Sequence, residues 1–249
     1  NRQQGYFRDS DKNGFHRLWL ATRTRWGVVV ISGVFFDLGG TLFSYRNVAR
    51  ATIPVLLEAS ERLGISADPE HLKETFTQAG AEINVRYADK PYFLHVDYFA
   101  DIFRRFTELV HAPAKPEIHD WYLDTHRVAM IDCLVVKEDC LATLEHLRST
   151  GLYVSVVSNI DDDMLTPLIE REGLGAHLHH WTSSEAAGSC KPHRGFFEHA
   201  LELAELKADE VLFVGDSPEQ DIVGAHAVGM QTALIVDGGM APPMQTGRK

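Results

Sequence analysis

The sequence predicts an α/β fold in which a parallel sheet carries an all-helical insert after its first strand. The chain has 249 residues, enough for one large domain or for one domain with an insert. Residues 45–132 show helical periodicity with almost no strand-like alternation, whereas strands and helices alternate after Lys137. Apolar residues make up 45% of the chain and charged residues 24%, a composition that excludes a disordered protein.

Charge and cysteine content limit the classes of partner. The formal net charge is −11, so long-range Coulomb forces disfavour nucleic acid. The three cysteines include no C-x-x-C pair, which indicates neither a disulfide framework nor a structural zinc site and favours a cytoplasmic location. The longest apolar run ends at Phe36, short of the roughly 18 residues that a membrane span requires.

The two ends of the chain differ from the rest. Residues 1–27 carry six basic and two acidic side chains with poor periodicity, and we expect a disordered extension there. Residues 237–249 contain paired glycines and paired prolines, which predict a mobile tail. The core is predicted from residues 28–44 and 133–236, and a helical cap from residues 45–132.

The core pattern begins with a β-branched and aromatic run, Val28 to Asp37. The later core strands are predicted at residues 152–157, 179–182, 211–214 and 231–236. The intervening helices are predicted at residues 138–150, 162–172, 195–205 and 219–228. The cap helices are predicted at residues 48–63, 69–87, 92–110 and 117–130.

A polar cluster follows each of four core strands. The clusters are residues 37–41, 158–159, 183–185 and 215–217. Ligands bind at the carboxyl ends of strands in doubly wound sheets, so we expect the four clusters to converge on one crevice.

The polar clusters predict an anion site beside a metal. Asp37, Asp216 and Asp221 would repel one another in one crevice unless a cation joined them, and oxygen-only ligation suits Mg²⁺. Lys191 can neutralise a phosphoryl group, and Ser158 with Asn159 adds hydrogen-bond donors where a helix begins.

Four motifs, in order and each after the expected element, resemble those of the haloacid dehalogenase superfamily, in the branch with a helical cap inserted after the first strand. The motifs are Phe36-Asp37-Leu38-Gly39-Gly40-Thr41-Leu42, Val156-Val157-Ser158-Asn159, Lys191-Pro192, and Val214 to Ala225 with Gly229-Met230. The resemblance covers roughly residues 30–236. It implies a Rossmann-like, doubly wound core, a Mg²⁺ cofactor and hydrolysis through an aspartyl-phosphate.

The resemblance also implies residue roles. Asp37 would attack phosphorus, and Mg²⁺ would be held by Asp37, the carbonyl of Gly39 and Asp216. Ser158 and Lys191 would bind phosphoryl oxygens, and Asp221 would orient Lys191 or a metal-bound water. The further candidates for substrate contact are Thr41, Asn159, Tyr45 and Arg46. The expected partner is a small phosphorylated metabolite, and the chain is expected to be a monomer or a homodimer.

The residue two positions after Asp37 departs from the superfamily's phosphatases. They carry a second aspartate there as general acid, whereas this chain has Gly39. Positioned acid–base catalysis contributes roughly 10² to 10⁴ in rate, so simple phosphomonoester hydrolysis should be slowed unless another group substitutes, such as Tyr45, His95 or a water.

Three interpretations remain open. The first is a phosphatase that acts on a leaving group needing little protonation or borrows an acid from the cap. The second is a phosphonatase-like C–P hydrolase, which would need a cap lysine from among Lys73, Lys90 and Lys115. The third is a catalytically impaired protein that binds a phosphorylated ligand. A dehalogenase is disfavoured by the Mg²⁺-type motif at Asp216 and Asp221, and a phosphomutase by the missing acid. Phosphatase-like hydrolysis is the favoured interpretation.

Two other groups are interpreted as structural. The run Asp161-Asp162-Asp163 is interpreted mainly as the acidic start of a helix. The aromatic residues between Tyr92 and Phe106 have helical spacing, which predicts a cap core.

Overall fold

The computed structural model describes residues 8–10, 16–18, 20–24 and 27–236, with side chains from residue 30 onward. The rest of the predicted disordered extension and the predicted mobile tail at 237–249 lie outside the described residues. The described stretches before residue 32 form two short antiparallel strand pairs: Arg8–Ser10 pairs with His16–Leu18, and Leu20–Thr24 pairs with Gly27–Ile31.

The strands of the central sheet follow the predicted core pattern with small shifts at their ends, whereas most of the short strands outside it were not predicted. They are β1 (Arg8–Ser10), β2 (His16–Leu18), β3 (Leu20–Thr24), β4 (Gly27–Ile31), β5 (Gly33–Phe36), β6 (Phe43–Ser44), β7 (Val135–Val136), β8 (Tyr153–Ser158), β9 (His180–Ser183), β10 (Val211–Gly215) and β11 (Gln231–Leu234). The predicted first strand is two strands, because the Ser32 N–H bonds to the Glu210 carbonyl while β4 pairs with β3.

The helices also match the predicted order. The α-helices are α1 (Val48–Arg62), α2 (Pro69–Tyr87), α3 (His95–Leu109), α4 (Pro116–Cys133), α5 (Cys140–Ser149), α6 (Asp162–Arg171), α7 (Ser184–Ala187), α8 (Arg194–Ala204) and α9 (Gly224–Val228). A π-helix (Pro218–Val223) precedes α9. No helix in the described part of the chain is long and apolar enough to cross a membrane.

The central sheet is parallel, with strand order β11-β10-β5-β8-β9. The first strand of this sheet, β5, lies between β10 and β8. The chain adds β8 and β9 on one side of β5 and then adds β10 and β11 on the other side. This reversal creates a switch point at the carboxyl ends of β5 and β10, where open α/β sheets bind ligands. The predicted α/β fold with an inserted helical cap is confirmed.

Alternating side chains of β5 separate two apolar clusters. Val34 and Phe36 pack into the cluster that contains residues of α5 and α6, while Phe35 packs into the cluster that contains residues of α8. All three side chains are at least 95% buried. Burial on both faces is typical of a parallel strand covered by helices and explains the continuous apolar sequence.

Helices α1 to α4 form a cap with its own apolar core. Phe103 stacks on Tyr122 with ring centroids 3.8 Å apart. The short antiparallel pair of β6 and β7 lies where the chain enters and leaves the cap. The cap is therefore a separately packed unit joined to the sheet through a two-stranded hinge.

Helix α3 begins at His95, three residues later than the periodicity predicts. The Cys190 N–H donates to the Pro91 carbonyl, so the chain before α3 is held in contact with the core. The aromatic stripe is accordingly divided. Phe103 and Phe106 are fully buried in the cap core, whereas Phe93 and Phe99 line a cavity facing the sheet.

A buried histidine in the cap should make stability pH-dependent. Burial lowers the pKa of His126 to about 4, so between pH 6.5 and pH 4 the unfolded chain takes up a proton that the folded chain does not. The free energy of unfolding should therefore fall as pH falls, with this residue contributing about 2 kcal/mol of the loss between pH 7 and pH 5.

Urea unfolding at several pH values checks this expectation. His126→Phe should flatten the slope of stability against pH, whereas exposed His71, changed to Gln, should leave it unaltered. Equal slopes in wild type and His126→Phe would contradict the assignment.

Candidate active site

Asp37 follows β5 directly and is 7% exposed. Its Oδ1 accepts hydrogen bonds from the Ser158 hydroxyl at 3.0 Å and from the Lys191 ammonium at 2.6 Å. Thr41 lies farther off, with its hydroxyl 3.4 Å from Oδ2. The carboxylate is thus held at a strand end by residues from two other segments.

Lys191 lies between two carboxylates and is 3% exposed. Its ammonium donates to Asp37 and, at 2.7 Å, to Asp221. Burial opposes the charged form, but the two carboxylates raise the pKa of Lys191 above its ordinary value. The lysine therefore stays cationic in the interior, where it can bind an anion.

The backbone of Lys191 is held by a reciprocal pair of hydrogen bonds with Asn159. The Asn159 amide nitrogen donates to the Lys191 carbonyl at 3.0 Å, and its oxygen accepts from the Lys191 N–H at 2.7 Å. The amide nitrogen also lies 3.4 Å from Gln220 Oε1. Asn159, predicted as a substrate contact, uses both ends of its amide on the protein.

Asp216 follows β10 and completes an acidic cluster. Its carboxylate and those of Asp37 and Asp221 each offer an oxygen within 4.8 Å of the other two. Burial raises the pKa of Asp216 to about 6, and the neighbouring Asp37 and Asp221 contribute to the shift. Asp221 already accepts from Lys191 and from the Ser217 N–H at 2.9 Å.

The donor set fits a hard divalent cation. Asp37 and Asp216 are oxygen donors whose mutual repulsion a cation would relieve. Gly40 has φ of +77°, and a Cβ on it would lie 2.0 Å from Asp216 Oδ2, so only glycine lets the carboxylate approach the loop. With Asp221 engaged elsewhere, Asp37, Asp216 and the Gly39 carbonyl are the candidates to hold Mg²⁺.

The space beside Gly39 is occupied by Tyr45. A Cβ built on Gly39 would lie 1.9 Å from the Tyr45 hydroxyl oxygen, although about half of the tyrosine side chain, 52%, remains exposed. Burial of the hydroxyl end and the nearby carboxylates of Asp37, Asp216 and Asp221 raise the pKa of Tyr45. A protonated phenol therefore lies where a side chain at position 39 would begin.

A cavity of about 250 Å³ lies between the sheet and the cap. The core side contributes residues next to the motifs, including Gly39 and Ser158, and the cap side contributes mostly apolar side chains. The described residues that line it are Leu38, Gly39, Tyr45, Phe93, His95, Phe99, Met130, Leu134, Ser158, Asn159, Ile160, Met164 and Gln220.

Asp161 ties the cap to the core beside this cavity. Its carboxylate accepts from the backbone N–H groups of His95 and Val96, both at 2.8 Å, at the start of α3. Asp161 occupies the N-cap position of α6, with Asp162 and Asp163 in its first turn, as the sequence predicts, but its side chain makes no capping bond to that helix. Burial opposes ionisation, but the bonds from His95 and Val96 lower the pKa of Asp161.

Other predicted residues lie elsewhere. The cluster after β9 does not join the crevice: Ser183 caps α7 and donates to Asp162, and Ser184 bonds to the backbone of Ile160. That prediction of a fourth converging cluster is wrong. Arg46 is exposed and does not line the cavity.

Sequence reasoning did not select Phe93, Phe99, Met130 or Gln220 as cavity residues. For Gln220, its place directly before Asp221 was the available signal. Phe93, Phe99 and Met130 of the cap show only the periodic spacing of apolar residues on a helix. This spacing does not indicate which other part of the protein they contact.

Removing the buried cation should destabilise the protein. Lys191→Met leaves Asp37 and Asp221 buried without their partner, and we expect the free energy of unfolding to fall by about 3–5 kcal/mol. Urea unfolding without divalent metal measures this loss. The control, Lys115→Met at an exposed lysine, should change it by less than about 0.5 kcal/mol. Equal stabilities of the two variants would contradict the structural role of Lys191.

Comparison with known proteins agrees with this geometry. A ribulose-1,5-bisphosphate 5-phosphatase of Halopiger xanaduensis is 30% identical over 204 residues, covering 82% of this chain and 84% of the relative. A glyceraldehyde 3-phosphate phosphatase of Methanocaldococcus jannaschii is 26% identical over 212 residues, covering 84% and 86%.

A solved structure shares the fold. The HAD-hydrolase YfnB from Bacillus subtilis, bound to magnesium, superimposes with a TM-score of 0.66 at 17% identity, covering 82% of this chain and 88% of that one. The sequence profile of haloacid dehalogenase-like hydrolases matches residues 31–229. The chain therefore belongs to the haloacid dehalogenase-like hydrolase family.

Proposed function

We propose that the protein is a Mg²⁺-dependent phosphatase of a small phosphorylated metabolite, with Asp37 as the nucleophile. The observation that carries the proposal is the setting of Asp37, which is held by Ser158 and Lys191 next to Asp216. A carboxylate oxygen, a hydroxyl and an ammonium from three chain segments meet at one strand end. The names of two relatives, both phosphatases of phosphorylated sugars or aldehydes, support the substrate class.

The proposed reaction has two steps. A carboxylate oxygen of Asp37 attacks phosphorus, the bond to the leaving oxygen breaks, and the leaving group takes up a proton. Water then attacks phosphorus, which releases phosphate and restores the Asp37 carboxylate. In both steps Ser158 and Lys191 donate hydrogen bonds to phosphoryl oxygens, and Asp221 holds Lys191 in position.

Mg²⁺ held by Asp37, Asp216 and the Gly39 carbonyl would neutralise charge on the phosphoryl group and the acidic cluster. The fixed geometry of the loop supports this role. The Gly40 N–H donates to the Phe43 carbonyl at 2.7 Å, and the Gly40 carbonyl accepts from the Lys137 ammonium at 2.5 Å. The Gly39 carbonyl is therefore presented from a loop that is tied down directly after it.

Tyr45 is the candidate to assist the leaving group. Its hydroxyl occupies the space where a general acid at position 39 would begin, and it can donate a hydrogen bond to the leaving oxygen. The phosphonatase-like alternative requires a cap lysine at this place. No lysine is among the described residues that line the cavity, so phosphate ester hydrolysis is the better supported reaction.

Asp37→Asn should abolish turnover. With Mg²⁺ present, we expect hydrolysis of p-nitrophenyl phosphate and acetyl phosphate to fall at least about 10³-fold, and trapping by metal fluoride to be lost. The control Asp120→Asn, at an exposed carboxylate, should retain wild-type rates. Wild-type activity in Asp37→Asn would refute the nucleophile assignment, and no turnover by the wild type would favour a phospho-ligand binding protein.

The role of Tyr45 can be tested by comparing the rates of hydrolysis of substrates with different leaving groups. Tyr45→Phe should slow hydrolysis of alkyl phosphates by about 10²-fold and leave acetyl phosphate within about threefold, because only the alkoxide needs assistance. An equal effect on both substrates would point to a structural role instead.

Restoring the missing acid gives a second measurement. Gly39→Asp places its Cβ against the Tyr45 hydroxyl. We therefore expect kcat/KM for alkyl phosphates to rise only when Gly39→Asp is combined with Tyr45→Ala. A double-mutant cycle on kcat/KM measures this coupling. Additive effects of the two substitutions would show that the two side chains do not compete for one place.

A further inference from the structure

We propose that the cavity between sheet and cap admits only leaving groups without a second anionic group, and that His95 contacts a hydroxyl of that leaving group. This inference rests on the proposed phosphatase function and narrows its substrate class. It follows from the charges of the cavity wall and from the hydrogen bonds that its polar groups already make.

The wall of the cavity supplies no cation. None of the described residues that line it is a lysine or an arginine, and the cap side is formed largely by Phe93, Phe99 and Met130. A carboxylate or a second phosphate placed there would lose its hydration without gaining a positive partner. The nearest buried ammonium, that of Lys191, is already shared between Asp37 and Asp221.

The start of α3 cannot take the place of a cation. Free N–H groups at a helix start attract anions. Here the N–H groups of His95 and Val96 both donate to Asp161, whose side chain is only 6% exposed. The carboxylate of Asp161 satisfies these donors, so they are not left to bind an anionic leaving group.

Most polar groups of the wall are already engaged. Asn159 uses its amide oxygen and nitrogen on the backbone of Lys191. The ring of His95 lies against Phe93, with centroids 5.0 Å apart, and its buried Nδ1 lies 3.4 Å from Asp161 Oδ1 without a hydrogen bond. His95 lines the cavity, and we assign its other ring nitrogen, Nε2, to a substrate hydroxyl.

The size of the cavity agrees with a small leaving group. Its volume of about 250 Å³ lies just below the usual range of small-molecule sites, about 300–1,000 Å³. The proposed substrate is thus a small phosphate monoester with one phosphoryl group and an uncharged, hydroxyl-bearing carbon chain.

The first experiment compares substrates with and without a second anionic group. Glycerol 3-phosphate and 3-phosphoglycerate have carbon chains of the same length. The first ends in a hydroxymethyl group and the second ends in a carboxylate. With Mg²⁺ present, kcat/KM should be at least about tenfold higher for glycerol 3-phosphate, and likewise for ribulose 5-phosphate over ribulose 1,5-bisphosphate. Equal values, or a preference for the anionic member of either pair, would overturn the inference.

The second experiment adds the absent cation. Met130→Lys should raise the ratio of kcat/KM for 3-phosphoglycerate over glycerol 3-phosphate at least about tenfold, while the matched Met130→Leu should leave it within about twofold. Both values come from one protein sample, so partial misfolding cancels from the ratio. An unchanged ratio in Met130→Lys would contradict the electrostatic argument.

The third experiment tests the contact of His95. His95→Phe should lower the ratio of kcat/KM for glycerol 3-phosphate over p-nitrophenyl phosphate by about tenfold, the effect of one hydrogen bond, because p-nitrophenyl phosphate has no free hydroxyl to lose a contact. The variant should keep the cap docked because it retains the backbone N–H groups of residues 95 and 96, which donate to Asp161. Equal losses on both substrates would overturn the contact.

The control reaction separates this inference from the proposed function. If p-nitrophenyl phosphate and acetyl phosphate are hydrolysed but the charge preference is absent, the pocket inference fails and the phosphatase stands. If no phosphate ester or acyl phosphate is hydrolysed, the proposed function itself is wrong, and the pocket inference falls with it.

Discussion

The buried ammonium of Lys191 is the interaction on which the rest of the site depends. It lies between Asp37 and Asp221, which follow different strands of the sheet and would otherwise repel each other in a space from which water is largely excluded. The pairing of β5 with β10 places their carboxyl ends side by side at the switch point of the sheet, and the lysine holds together the carboxylates that follow these strands. Asp216, one residue after β10, is thereby placed beside the same carboxylates.

The segment around Lys191 also connects this site to the cap. Cys190 donates its N–H to Pro91, directly before the first turn of α3, and Asp161 receives the first N–H groups of that helix. Both contacts come from residues adjacent to the predicted anion-binding motifs. The position of His95 over the cavity therefore depends on the same loops that hold the nucleophile, and the cap and core sides of the cavity are defined together.

Where the resemblance leads one to expect an aspartate, this chain has Gly39, and a neighbouring side chain fills the space. Tyr45, six residues later at the entrance to the cap, directs its hydroxyl into the space that a side chain at position 39 would need. Position 39 retains its backbone carbonyl, so the candidate metal site does not depend on the missing carboxylate. The polar group nearest to a leaving oxygen would then belong to the hinge rather than to the first motif.

The sequence by itself determined the order of the elements, the division into core and cap, and the four motifs that predicted the meeting of Asp37, Ser158, Lys191 and Asp216. These were predictable because a β-branched run buried on both faces and an amphipathic helix each leave a periodic pattern, and because parallel strands end at one edge. Only the tertiary structure decided that Asp161 caps a helix of the cap, that Ser183 and Ser184 lie outside the crevice, and that Tyr45 fills the space at Gly39. Those contacts join segments far apart in sequence or depend on the exact path of a loop, and neither leaves a periodic signal in the chain.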